Sequence, residues 1–131
     1  MRFPFSQVPL DPADIGRPLL NLAVEGVSVP VTCLLDTGAV HNRLPTDWAI
    51  AAGIDLGNRP TDLIGLGGQA SVRCHLVEDV QVTIVGVSLN LSMWFCDDWH
   101  PPFGLLGQEG FLQYFTLTLS AQEECFELEE S

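Results

Sequence analysis

The stretch from Ser71 to Phe95 constrains the fold more than any other part of the chain. Val80, Val82 and Ile84 alternate with Gln81 and Thr83, Gly86 marks a turn, and Val87-Ser88-Leu89-Asn90-Leu91 resumes the alternation. A period of two puts successive side chains on opposite faces, so this reads as paired strands with one buried face, not as helix. Two further apolar runs, Leu20 to Glu25 and Val29 to Leu35, are joined through Gly26 and read as a β-hairpin. Thr46 precedes Asp47-Trp48-Ala49-Ile50-Ala51-Ala52, and Gly53 closes the stretch, which supplies an N-cap and a C-terminal glycine for a short helix. A second short helix is expected from Gln108 to Gln113, followed by strands at Phe115 to Leu119 and Cys125 to Leu128. The class this implies is all-β, with one or two short helices.

The 131 residues give room for one domain and one core. Pro4, Pro9, Pro12 and Pro18 make residues 1–18 an extended arm, because proline fixes φ and has no N–H to give a sheet. The domain proper is expected over 19–120. Residues 121–131 form an acidic tail in which Cys125, Phe126 and Leu128 interleave with glutamates, so it reads either as a frayed solvated end or as a strand offered to a partner. Charged residues are few, at 17%, which points to surface buried against a second chain. A formal charge of -12 repels phosphate backbones and anionic membrane surfaces, so no nucleic-acid or membrane partner is expected. Ser88, Asn90 and Ser92 interrupt the most apolar stretch before it could span a bilayer. Cys33, Cys74, Cys96 and Cys125 are spread evenly with no leader-like segment before them, which suggests free thiols in a reducing cytoplasm. Neither they nor His41, His75 and His100 have metal-ligand spacing, so no metal and no cofactor is expected.

The chemistry concentrates in Leu34-Leu35-Asp36-Thr37-Gly38-Ala39. It sets a carboxylate at the end of an apolar strand, then a hydroxyl, then a residue that turns sharply because it lacks a Cβ. Much later, Phe103-Gly104-Leu105-Leu106-Gly107 repeats the pattern of apolar residues before a tight turn. Between them lies Ile64-Gly65-Leu66-Gly67-Gly68-Gln69-Ala70. Its Gly65, Gly67 and Ala70 also fit the spacing of a dinucleotide fingerprint, but that motif opens a helix, and Val72 to Ile84 reads as strand.

With these three pieces in this order, the chain resembles the retropepsin-like (retroviral-type) aspartic proteases from Leu19 to Ser120. The resemblance implies a closed retropepsin-like barrel with one lobe per chain. It implies an aspartic endopeptidase, a hydrolase in which Asp36, Thr37 and Gly38 are catalytic and two Asp36 carboxylates share a proton across a homodimer. The substrate would be a peptide or protein lying extended beneath a flap at Gly65, Leu66, Gly67 and Gly68, with Ala39 and Val40 beside it. Thr37 would lock the two loops together across the dimer axis. A second reading keeps the scaffold as a catalytically silent dimerisation or peptide-binding module; an intact Asp36-Thr37-Gly38 favours the enzyme.

Two positions depart from the family pattern. Val40 stands where retroviral members carry Asp, and Gln108 where they carry Arg. Those two side chains form an ion pair in the viral enzymes, and here both are missing together, which leaves no buried charge unpaired. His41 reads as a surface or subsite residue. Trp48, Trp94 and Trp99, with Phe95 and Phe103, read as core or groove lining, and Asp97 to Pro102 as a connection between strands.

Overall fold

The computed structural model describes residues 1–8, 16–66 and 69–131. In chain order the strands are β1 (Arg2–Pro4), β2 (Ser6–Gln7), β3 (Gly16–Arg17), β4 (Leu19–Val24), β5 (Val31–Leu35) and β6 (Arg43–Pro45). Helix α1 (Thr46–Ala51) is followed by β7 (Thr61–Leu66), β8 (Gln69–Ile84), β9 (Val87–Cys96) and β10 (Gly104–Leu106). A 3-10 turn at Leu112–Tyr114 leads into β11 (Phe115–Ser120) and β12 (Cys125–Glu130). The main sheet runs β4-β5-β10-β6-β9-β8-β7, and a pairing between β4 and β8 closes its first six strands into a barrel. Strand β7 projects from β8 outside that ring.

The alternation read in the sequence builds this barrel. Val80, Val82, Ile84, Leu91, Met93 and Phe95 are buried, while Gln81, Ser88, Asn90 and Ser92 face out. A register shift between Val77 and Val80 lets β8 keep one face inward over its length. Both Val77 and Val80 are buried, and the intervening Glu78 and Asp79 are exposed, so the extra residue places two carboxylates in solvent instead of one in the core. The turn that follows is Val85-Gly86, with φ of 45° and 80°, the left-handed pair that matches strand twist in a two-residue hairpin.

The termini form a second, three-stranded sheet, β1-β12-β11. Phe126 and Leu128 on β12 point into the main core with Phe111 and Phe115, and Phe3 stacks on Phe126 with ring centroids 5.1 Å apart. Each large apolar side chain so buried contributes about 1.5–3 kcal/mol. The glutamates of 121–131 thus lie mostly on a strand flanked on both sides within its own chain. Pro9 and Pro12 of the expected arm lie outside the described residues; Ser6–Gln7 pairs with Gly16–Arg17.

Two helix expectations change in detail. Thr46 is the first helical residue and does not cap α1; its hydroxyl donates instead to Asp97 Oδ1 at 2.7 Å, a tertiary partner that the local sequence does not reveal. Residues 108–113 are not a helix, because the amides of Gln108 and Glu109 donate to Ala39 O and Val40 O at 2.9 and 2.8 Å, and only Leu112–Tyr114 tightens into a turn. The expectation of four free thiols is also corrected. The β8–β9 register sets Cys74 opposite Cys96, Cα atoms 4.1 Å apart, and the two form a disulfide, leaving Cys33 and Cys125 free. Cysteine usage therefore no longer argues for a reducing compartment. No helix among the described residues is long and apolar enough to cross a membrane.

Burial pushes the Cys33 thiol up to about 12, against a smaller opposing effect of the Gly104 backbone. The unfolded chain gives up this proton first, near pH 9, so stability is full below that pH and falls as pH rises toward 12, by about 1.4 kcal/mol per pH unit. With no lysine and one tyrosine in the chain, few other groups titrate in that window. Urea unfolding between pH 8 and pH 11 is expected to show this decline and to show it flattened in Cys33→Ala.

Candidate active site

Strand β10 lies between β5 and β6, parallel to the first and antiparallel to the second, and this placement makes the site. Leu105 and Leu106 pair with Leu34 and Leu35, and the next amide, that of Asp36, donates to Leu106 O at 3.0 Å. Asp36 thereby leaves β5 at a defined height. Its Oδ1 accepts from the Gly38 amide at 3.0 Å, and its carbonyl from the Ala39 amide at 3.1 Å. A Cβ at position 38 would stand 3.3 Å from that Oδ1, so glycine here serves proximity to the carboxylate.

The loop after Asp36 is laced to the segment after β10. Gly107 is packed so closely that a Cβ would meet His41 O at 2.7 Å and Ala39 O at 2.8 Å, which no side chain tolerates. Its amide donates to Asn42 Oδ1 at 2.9 Å, and Asn42 Nδ2 donates to Ser92 O at 2.9 Å. Asn42, only 1% exposed, thus satisfies two backbone groups from distant segments, one on β9 and one just after β10. Gln108 donates through Nε2 to Thr37 O at 2.6 Å and so braces the loop within one chain.

Asp36, Gly38, Ala39, Val40 and Gly65 line one cleft of about 530 Å³, between the loop and the Ile64–Gly65 part of the β7–β8 hairpin. Thr37 lies exposed beside it, and among the described residues its hydroxyl makes no hydrogen bond. Leu66 ends β7, where its backbone pairs with that of Gln69; Gly67 and Gly68 lie outside the described residues. His41 stands at the rim, Nδ1 3.7 Å from a Glu109 carboxylate oxygen and ring 5.6 Å from that of Trp94. Asp36 supplies the cleft's only carboxylate among the described residues.

A family model described as aspartyl protease matches residues 20–109, a span that includes both Asp36 and Gly107. The chain belongs to the aspartyl protease family. Its fold is retropepsin-like. A retropepsin-like aspartic protease from Rickettsia conorii superposes with a TM-score of 0.65 at 18% identity, over 96% of this chain and 97% of that one. The retroviral protease-like domain of Ddi1 from Leishmania major superposes with a TM-score of 0.63 at 14% identity, over 88% and 90%. No curated protein sequence matches the chain.

The aspartyl protease cleft also holds a residue that the sequence did not single out. Arg43, 4% exposed, lines it beside Asp36. Its guanidinium donates to Gly65 O at 2.8 Å and to Ile64 O at 3.3 Å, and sits 4.9 Å from the centre of the Trp99 ring. Nε and Nη2 also approach the sulfurs of Cys96 and Cys74, at 3.4 and 3.6 Å. Burial lowers its pKa. Among the described residues no carboxylate pairs with it; carbonyl dipoles and the indole face offset its desolvation, the latter by up to about 2 kcal/mol. An Asn-Arg pair after an acid loop reads as surface in a sequence, since nothing local distinguishes a buried charge from a solvated one.

Replacing Asn42 with alanine strands the Gly107 amide and the Ser92 carbonyl, at roughly 1–3 kcal/mol for each group left unpaired. Asn42→Ala is expected to lose about 3 kcal/mol in urea unfolding, read as a lower midpoint at unchanged m-value.

Proposed function

We propose that the chain is an aspartic endopeptidase that hydrolyses peptide bonds by attack of water, promoted by the Asp36 carboxylates of two chains that share one proton. The observation that carries this reading is a single carboxylate, held by backbone hydrogen bonds, in a cleft bordered by the β7–β8 hairpin. Asp36 is held by the Gly38 amide and by β10, and the cleft offers no second acid from the same chain. General acid–base hydrolysis needs a base to take a proton from water and an acid to protonate the leaving amine. Two like carboxylates brought close cannot both be ionised, so a second Asp36 across a two-fold axis supplies the complementary state. The unengaged Thr37 hydroxyl beside Asp36 is available to meet its counterpart in that arrangement. Because β12 is flanked by β1 and β11, a strand from a second chain would add at an outer edge of that sheet rather than pair with β12 itself.

In this mechanism a peptide lies extended between the loop and the hairpin, contacting Ala39 and Val40 on one side and the strand at Gly65 and Leu66 on the other. Water between the two carboxylates attacks the scissile carbonyl as one Asp36 accepts its proton. The other carboxyl donates its proton to the departing nitrogen, and the shared proton is restored for the next turnover.

A second reading, a silent dimerisation or peptide-binding module, takes support from Gln108, which stands where retroviral members carry arginine and spends its side chain inside one chain. Incubation of wild type and Asp36→Asn with a peptide mixture between about pH 4 and pH 7, with mass measured in solution, separates the two. The protease reading expects cleavage by a wild-type dimer and a loss of about 10³-fold or more in Asp36→Asn at unchanged dimer mass. A dimer that binds peptides and cleaves none would establish the module, and a monomer that cleaves would remove the dyad.

A further inference from the structure

The ladder between β7 and β8 breaks between Ile64 and Leu66, and Gly65 has no partner in its register. The carbonyls of Ile64 and Gly65 at that break accept from Arg43, which reaches them from β6 on the barrel wall. Such irregularities re-aim or bend a strand pair. Here the bend is held by a side chain from across the cleft. A guanidinium suits the task, since its planar fork presents several N–H groups at once. One side of the fork engages the two hairpin carbonyls. The other rests against Trp99 and the Cys74–Cys96 pair, which ties β8 to β9.

From this geometry we infer that Arg43 is a positioning residue that latches the β7–β8 hairpin at the Ile64–Gly65 break and sets its height over Asp36. Gly65 has no register partner on β8, so without the fork the ladder is weakest at that break and the strand is free to hinge there. A peptide held between hairpin and loop through main-chain hydrogen bonds then meets a cover that must first be brought into place. The penalty falls on binding, because the carboxylate and its support on β10 are untouched. The kinetic consequence rests on the protease reading above; the latch itself does not.

Arg43→Met and Arg43→Lys, compared with wild type by hydrogen exchange and by steady-state kinetics, test this. Arg43→Met is expected to speed exchange of the Ile64–Leu66 amides about tenfold or more while β4 and β5 keep their protection. KM is expected to rise about tenfold with kcat within about threefold, and Arg43→Lys to recover part of both effects. A merely structural role would speed exchange across the barrel together and lower kcat at unchanged KM, and that result overturns the latch. Unaltered hairpin exchange in both variants overturns it as well. If Arg43→Met does not fold, the latch stands only if Arg43→Lys alone exchanges its hairpin faster than wild type. Should wild type cleave nothing while Arg43→Met still frees the hairpin, the latch stands and the protease reading falls.

Discussion

The close approach of Gly107 to the carbonyls of Ala39 and His41 is the contact on which the rest of the site depends. It lets a strand of three residues, Gly104–Leu106, thread between β5 and β6 and carry its amides onward to Ala39 and Val40. Gly104 meets the same demand at the strand's other end, where a Cβ would lie 2.9 Å from Arg43 O. Between them Leu105 and Leu106 are buried, so the insertion is held by apolar packing as well as by its ladder. Asp36 owes its placement to this remote segment, since its amide closes on Leu106 O. The catalytic-type triplet is therefore not a self-sufficient turn but one half of a paired structure.

Around that insertion two neighbouring buried residues bond backbone groups that the ladders leave apart. Asn42 faces Gly107 and Ser92, and Arg43 faces Ile64 and Gly65 on the hairpin. Both lie on the short β6 edge of the loop, where the backbone changes from the irregular site to the regular barrel. Buried polar side chains are tolerated when their partners are complete, and here they join elements that the sheet ladders leave apart. The same logic explains Thr46, whose hydroxyl serves Asp97 and leaves the start of α1 without a side-chain cap.

The termini add a second sheet that covers the open side of the core. Phe126 and Leu128 face inward while Glu127, Glu129 and Glu130 ride on the strand's outer positions and end, so the alternation places charge in solvent and aromatic area in the core. Much of the net charge of -12 is thus on surface and at edges. Such repulsion opposes indiscriminate edge pairing, and association then depends on a specific fit.

The β-rich class, the hairpin through Gly26, the hairpin through Gly86 and the place of Asp36 at a strand end were legible in the sequence, because alternation, glycine turns and a motif are all local signals. The barrel's closure through β4 and β8, the Cys74–Cys96 pair, the pairing of Gln108 and Glu109 with Ala39 and Val40, and the roles of Asn42 and Arg43 were decided only in three dimensions. Each depends on which distant backbone group lies opposite, and a register between strands is set by the summed packing of the whole barrel rather than by any one stretch. The residue types needed for the chemistry are therefore written in the chain, whereas their heights, partners and burial come from the tertiary fold, because pairing energy is non-local and hydrophobic pattern is not.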